Sequence, residues 1–158
     1  MTTIRLATRA DIDAIHALLV ELAAFEGGAV SATPADLEQD GFGARPLFEV
    51  LLAEDGEGPP MGMLVFLPIY SSWRGRAGVM IHDLFVRASG RGRGVGRALV
   101  TALARLAVDR GCERMDVNVL DWNHRARAFY AGLGLAHNEG WLGYRVEDDG
   151  LRALAERE

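Results

Sequence analysis

Apolar and polar residues along the chain fall into two rhythms. A short run, "IRLA", reads as a first strand. In "ATRADIDAIHALLVELAAFE", apolar residues at Ile12, Ile15, Leu19 and Leu22 follow the spacing of one helical face. Thr8, with Asp11 three residues on, fits a capping pattern at its start. "TPADL" signals a second, shorter helix: Thr33 caps, Pro34 suits the first turn, and Asp36 lies at the positive end of the helix dipole. The glycines and proline of "DGFGARP" are expected to break it.

Two strand-like runs follow, "LFEVLLAE" and "MGMLVFLPIY", and the turn-rich "DGEGPP" between them predicts an antiparallel hairpin. "GVMIHDLFV" is apolar on both faces, as a central strand is. A long helix then opens at Val95, with Leu99, Leu103 and Leu106 on its stripe and Gly111 at its end. "RMDVNVL" reads as a further strand, "NHRARAFYAGLG" as a helix closed by glycine, and "GWLGYRVE" as the last strand. With no repeats and no dividing linker, the order predicts one mixed α/β domain over residues 1–158.

Composition narrows the field of functions. The chain has 158 residues, 49% hydrophobic and 25% charged, with a formal net charge of −5. An acidic chain is not drawn to nucleic acid or to anionic lipid, so neither is an expected partner. The N-terminus carries no secretory pattern, and no apolar run approaches the roughly 20 residues of a membrane span. A single cysteine, Cys112, excludes an internal disulfide; a reducing cytoplasm is the expected location. Cys112 follows Gly111 at a helix end, where a small packed thiol is the expectation rather than a nucleophile. His16, His124 and His137 have no spacing that suggests metal ligation, and no metal is expected.

"RASGRGRGVGRALV", residues 87–100, carries the most chemistry. Glycines let a backbone bring successive N–H groups close to a ligand, and the first N–H groups of a helix lack internal partners. With the helix dipole and Arg91, Arg93 and Arg97, the segment predicts a phosphate cradle. A flexible Arg/Gly tail for RNA would not lead straight into an amphipathic helix of an acidic domain. A dinucleotide-binding fold would place its glycine loop after the first strand, and a Walker loop would need Gly-Lys-Ser/Thr; neither matches.

"RGRGVG" resembles the R/Q-x-x-G-x-G/A pyrophosphate loop of the GCN5-related N-acetyltransferase superfamily (GNAT). "RLATRADIDAIHALLVELAAFE", "DLEQDGFGARPLFEVLLAE", "HDLFV", "DWNHRARAFYAGLGL" and "NEGW" resemble, in order, its spermidine/spermine and thialysine acetyltransferase branch, from about Ile4 to Trp141. The resemblance implies a GNAT fold: a mixed, mostly antiparallel sheet with splayed central strands, flanked by helices. It also implies acetyl-CoA as co-substrate. Leu84, Phe85 and Val86 would pair with the pantetheine arm, and an N–H there would polarise the thioester carbonyl. Arg91, Gly92, Arg93, Gly94, Val95, Gly96 and Arg97 would take the pyrophosphate, with Asn123 reaching the cofactor from the other side.

Tyr130 matches the family's tyrosine that protonates the departing thiolate, a role a phenol can fill. The same "AFYAGLGL" also reads as an amphipathic helix with Phe129 and Tyr130 in the core. Glu26, Asp83 and Glu139 match acidic residues of the amine site, and Trp73 and Trp141 match aromatics that line it; aromatic faces attract ammonium groups. Glu26 also fits a solvated helix end, and Asp83 an ion pair with a nearby arginine.

Two positions depart from the polyamine enzymes: His82 stands where they carry glutamate, and Ser71 where they carry aspartate. Both remove negative charge, which favours a short diamine or a lysine-like amino acid over a long polycation. His82 fits either a base or a half-buried strand histidine. The expected activity is acetyl transfer to a small primary amine by direct attack. Alternatives are a non-catalytic acyl-CoA sensor and an enzyme acting on protein or peptide amines. The resemblance further implies a homodimer, and "DDGLRALAERE" is an amphipathic helix compatible with dimer contacts or with solvent exposure.

Overall fold

In a computed structural model, which describes residues 1–157, the chain forms two compact units, Met1–Asn118 and Val119–Glu158. The first holds a five-stranded sheet in the order β1-β2-β3-β4-β5. Its strands are β1 (Thr3–Leu6), β2 (Glu49–Glu54), β3 (Gly62–Ser71), β4 (Arg76–Val86) and β5 (Met115–Val117). The first four pair antiparallel, and β4 pairs with β5 in parallel, so the sheet is mixed and mostly antiparallel, as expected.

Helices α1 (Ile12–Glu26), α2 (Pro34–Phe42) and α3 (Val95–Asp109) complete this unit. The cap residues act as the sequence predicts. The Asp11 carboxylate accepts from the backbone N–H of Thr8 at 2.7 Å and from its hydroxyl at 3.0 Å, in a 3-10 turn just before α1. At α2, Thr33 Oγ1 accepts from the Asp36 N–H at 3.2 Å while the Asp36 carboxylate accepts from the Thr33 N–H at 2.8 Å. The break expected at "DGFGARP" comes later: α2 continues through Gly41 and Phe42 to Gly43. A Cβ at Gly41 would stand 2.5 Å from the Phe48 ring, so glycine here admits a neighbouring aromatic rather than ending the helix.

One face of the sheet packs Val50, Leu52, Met63, Val65 and Phe85 against Ile12, Ile15, Leu18 and Leu22 of α1 and Leu37 of α2. Residues of the opposite parity, with Leu64 and Phe66 fully buried, lie on the α3 face. A Cβ at Gly62 would touch Leu99 Cδ1 of α3 at 3.5 Å. Alternation along β2 and β3 therefore sends successive side chains into two cores, the reason these runs read as continuously apolar.

The second unit holds α4 (His124–Gly132) and α5 (Asp148–Ala155). The strand expected at "GWLGYRVE" does not form: residues 141–147 are irregular, and Trp141, Leu142 and Tyr144 are exposed. Alternating apolar residues specify a strand only where a neighbour supplies a ladder, and among the described residues these have none.

Candidate active site

The pairing of β4 with β3 contains a shift of register. Val65 pairs with Asp83 and Phe66 with Ile81, so His82 is the extra residue of a β-bulge. The bulge changes which face the strand presents. Ile81 shares the face of Phe66, toward α3, whereas Asp83 and Phe85 share the face of Val65 and Met63, toward α1. Asp83 is thereby half-buried and His82 exposed, and His82 Nδ1 lies 2.9 Å from Asp83 Oδ2.

On its other edge β4 is paired only through Val79, Met80 and Ile81, because β5 stops at Val117. Beyond that point, Leu84 to Val86 have no ladder partner on the β5 side among the described residues. The two central strands thus part at the bulge, the splay the resemblance implies. Alternate backbone N–H and C=O groups along this edge are available to an extended ligand.

After β4 the chain runs through a 3-10 turn (Ala88–Gly90) and the loop Arg91–Gly94 into α3. Gly92 and Gly94 have φ of +75° and +77°, and nothing lies within 4 Å of a Cβ built on either. The first intrahelical bond is from the Ala98 N–H to the Gly94 carbonyl at 2.9 Å, so the N–H groups of Val95, Gly96 and Arg97 precede it. Left-handed glycines followed by such N–H groups form a concave nest with the helix dipole behind it, which suits a diphosphate.

The three arginine heads, expected to converge on phosphate, diverge. Arg91 donates from Nε to the Val86 carbonyl at 3.0 Å, and its guanidinium lies 5.5 Å over the Phe25 ring. Arg93 donates to the Asp55 carboxylate at 2.6 Å, holding that carboxyl below its usual range, with the N-terminal ammonium adding to the effect. Arg97 lines a groove of about 690 Å³ beside Ile4, Arg105 and Thr101, between β1 and α3. What the loop offers an anion directly is its backbone.

The remaining site residues fall in separate places. Glu26 is the exposed last residue of α1 and follows Phe25, whose ring Arg91 covers. Trp73 is fully exposed in the turn between β3 and β4. Asp83 lies seven residues beyond the first residue of β4, roughly 23 Å along an extended strand, so Trp73 and Asp83 stand at opposite ends of β4. In the second unit, Asn123 caps α4 by accepting from the Ala126 N–H at 3.0 Å, so a ligand would meet its amide NH₂. Tyr130, buried on α4, has its ring edge-to-face with Phe129 at 5.1 Å. Glu139 and Trp141 are exposed in the irregular segment after α4. Among the described residues no group of three His, Cys, Asp or Glu could hold a metal, and no helix is long and apolar enough to cross a membrane.

Sequence reasoning missed Arg87, Phe25 and Asp55, which hold or engage the loop. Their partners lie far away in sequence, at Glu21, Arg91 and Arg93, and no local spacing announces them.

Known proteins agree with this architecture. Residues 15–135 match the Acetyltransferase (GNAT) family. The thialysine N-epsilon-acetyltransferase of Mus musculus is 38% identical over 99% of this chain and 98% of its own length. The spermidine/spermine N(1)-acetyltransferase-like protein 1 of Homo sapiens is 33% identical over 96% of this chain and 23% of its own length. Among solved structures, an integron cassette protein from V. cholerae superposes with a TM-score of 0.84 at 24% identity, covering 99% of this chain and 98% of its own, which shows the fold. The open edge of β4, the glycine nest that follows it and the match over most of the chain identify this protein as a member of the GNAT acetyltransferase family, within the branch of the thialysine and spermidine/spermine enzymes.

Proposed function

We propose that this chain, as one N-acetyltransferase domain, transfers an acetyl group from acetyl-CoA to a primary amine of a small diamine, polyamine or lysine-like amino acid by direct attack. The observation that carries the reading is the backbone nest of Gly92 to Arg97 placed directly after the unpaired edge of β4. It fits a diphosphate on one side and an amide-bearing arm on the other. Acetyl-CoA, when bound, supplies a thioester-activated acyl carbon.

The chain's own groups then have distinct tasks. Leu84, Phe85 and Val86 hold the arm through their backbone, and a β4 N–H directed at the thioester oxygen stabilises the charge that develops there. Asn123 adds an amide donor. Tyr130 donates its phenolic proton to the thiolate as the carbon–sulfur bond breaks. Glu26, Asp83 and Glu139 hold the cationic acceptor, with the faces of Trp73 and Trp141. Fewer carboxylates, with Ser71 and His82 in place of acids, favour a short diamine or a lysine-like amino acid, in line with what the mouse relative's name says of that enzyme. Because Trp73 sits at the far end of its hairpin, its part in an acceptor site requires a second copy, and we propose a homodimer of a cytoplasmic enzyme.

The test is thiol release from acetyl-CoA with putrescine, spermidine, spermine, lysine, thialysine and a short peptide, beside the mass of the particle by light scattering. Turnover is expected with the short diamine or the lysine-like amino acids, from a dimer. Acetyl-CoA binding without turnover of any amine would favour a sensor, and turnover of the peptide alone a protein acceptor.

A further inference from the structure

A diamine, a polyamine and a lysine-like amino acid differ at the end that does not react. The first two carry a further ammonium there, and the third carries an α-carboxylate beside an α-ammonium. We infer that Arg74, next to Trp73 at the tip of the β3–β4 hairpin, binds this α-carboxylate and so selects a lysine-like amino acid. The inference rests on the acetyl-transfer reading, with the tip serving the site of a second copy, and adds the group that chooses the acceptor.

The tip is closed by its own hydrogen bonds. The Ser71 carbonyl accepts from the Gly75 N–H at 2.8 Å, and Ser71 Oγ accepts from the Arg74 N–H at 3.3 Å. Gly75, with a φ of +63°, turns the chain back into β4. Trp73 and Arg74 are therefore neighbours in a tight turn, and both are exposed. Ser71 shapes this turn as an aspartate could, but brings no negative charge to it.

Three arginines gather at this end of the sheet, and their commitments differ. Arg114 pairs with Asp116 at 3.2 Å. Arg76 donates from Nε to Glu113 at 3.1 Å and from Nη1 to the Gly75 carbonyl at 3.3 Å. Arg74 gives Glu113 only its Nη2, at 3.0 Å, and among the described residues its Nε and Nη1 have no partner. Glu113 holds this guanidinium from just before β5, where its own N–H donates to the Ala77 carbonyl at 3.0 Å. Three arginines against two carboxylates, Glu113 and Asp116, leave the tip one net positive charge.

That balance suits one acceptor better than the others. The distal ammonium of a diamine would meet a positive tip whose carboxylates are already held by arginines. An α-carboxylate would accept from the remaining N–H groups of Arg74, in a charge-assisted hydrogen bond. The α-ammonium beside it would lie on the Trp73 face. Two adjacent residues thereby meet the two halves of a zwitterion. Aspartate in place of Ser71 would cancel the net charge and give a distal ammonium its own partner.

The experiment compares lysine with cadaverine, which lacks only the α-carboxylate, as acceptors for the full chain with acetyl-CoA. The wild type is expected to favour lysine. In Arg74→Ala the ratio of kcat/KM for lysine to that for cadaverine should fall ~10–100-fold, carried by the KM for lysine, as loss of a charge-assisted hydrogen bond in uniform binding requires. Arg74→Lys should recover part of the ratio, and Ser71→Asp should shift it toward cadaverine. An unchanged ratio in a folded Arg74→Ala variant, or a wild type that favours cadaverine, would overturn the inference and leave acetyl transfer standing. If the wild type acetylates no small amine, the inference falls together with the reading it rests on.

Discussion

Arg87 grips Glu21 with the Nε–Nη2 edge of its guanidinium: Nη2 lies 2.6 Å from Oε1, and Nε lies 3.1 and 3.0 Å from the two carboxylate oxygens. Its Nη1 donates to the Pro60 carbonyl at 2.8 Å. One side chain thus ties α1 and the β2–β3 connection to the residue that follows β4, immediately before the glycine nest. Both partners are partly exposed, so the pair is worth about 1 kcal/mol, and the Pro60 bond adds a similar amount. Arg87→Ala is therefore expected to lower stability by about 1–2 kcal/mol, read from urea unfolding, and to weaken acetyl-CoA binding. Equal affinity in the variant would show that the loop holds its shape without this clamp.

A second clamp predicts an acid-sensitive fold. Arg5 on β1 donates to both oxygens of Asp11 at 2.8 Å and to Glu54 at 3.0 and 2.6 Å. The hydrogen bonds from Arg5 hold the Asp11 carboxyl well below the usual carboxylate range, against the opposing effect of burial, with Thr8 assisting. Arg87 likewise lowers Glu21. A carboxyl depressed in the folded state contributes stability above its ordinary pKa and loses it as the pH falls toward the folded value. Asp11→Asn should cost about 2 kcal/mol at neutral pH, and the gap from wild type should narrow as the pH drops to about 3. A gap independent of pH would assign the loss to packing instead of charge.

How far the sequence reaches depends on the range of the interactions involved. The start of α1, α2 and the β2–β3 hairpin were legible because Thr8 with Asp11, Thr33 with Asp36, and "DGEGPP" act over three to six residues. The left-handed turns of the loop before α3 were legible too, since Gly92 and Gly94 declare such a backbone. The bulge at His82 was not: "GVMIHDLFV" has no glycine or proline at the shift, which exists only against β3. The divergence of Arg91 and Arg93 was equally hidden, because Phe25 and Asp55 come from distant elements. "GWLGYRVE" failed for the converse reason, its alternation being real but without a partner strand.

Glycine positions separate binding from folding. Gly94→Ala meets open space, so its cost is that of a left-handed alanine, about 1 kcal/mol, while the methyl and altered N–H directions spoil the nest. Acetyl-CoA affinity should fall at least tenfold in a folded protein. Gly41→Ala drives a methyl to within 2.5 Å of the Phe48 ring and should cost about 1–3 kcal/mol with affinity for acetyl-CoA preserved. Calorimetry and thermal unfolding of the two variants should therefore separate the two effects; unchanged acetyl-CoA affinity in Gly94→Ala would mean the nest is not where the ligand binds.

Tyr130→Phe isolates the acid. The Tyr130 ring is buried on α4 and packs edge-to-face on Phe129 with an interplanar angle of 70°, contacts that phenylalanine retains. Folding should therefore change by about 1 kcal/mol or less, the worth of one hydroxyl hydrogen bond. If the phenol hands its proton to the departing thiolate, kcat should drop by ~10²–10³ while acetyl-CoA affinity stays level. The drop should shrink for an acyl donor with a more acidic thiol, because such a leaving group needs less protonation. A variant that loses stability but keeps kcat would make Tyr130 a core aromatic and return the acid's role to water.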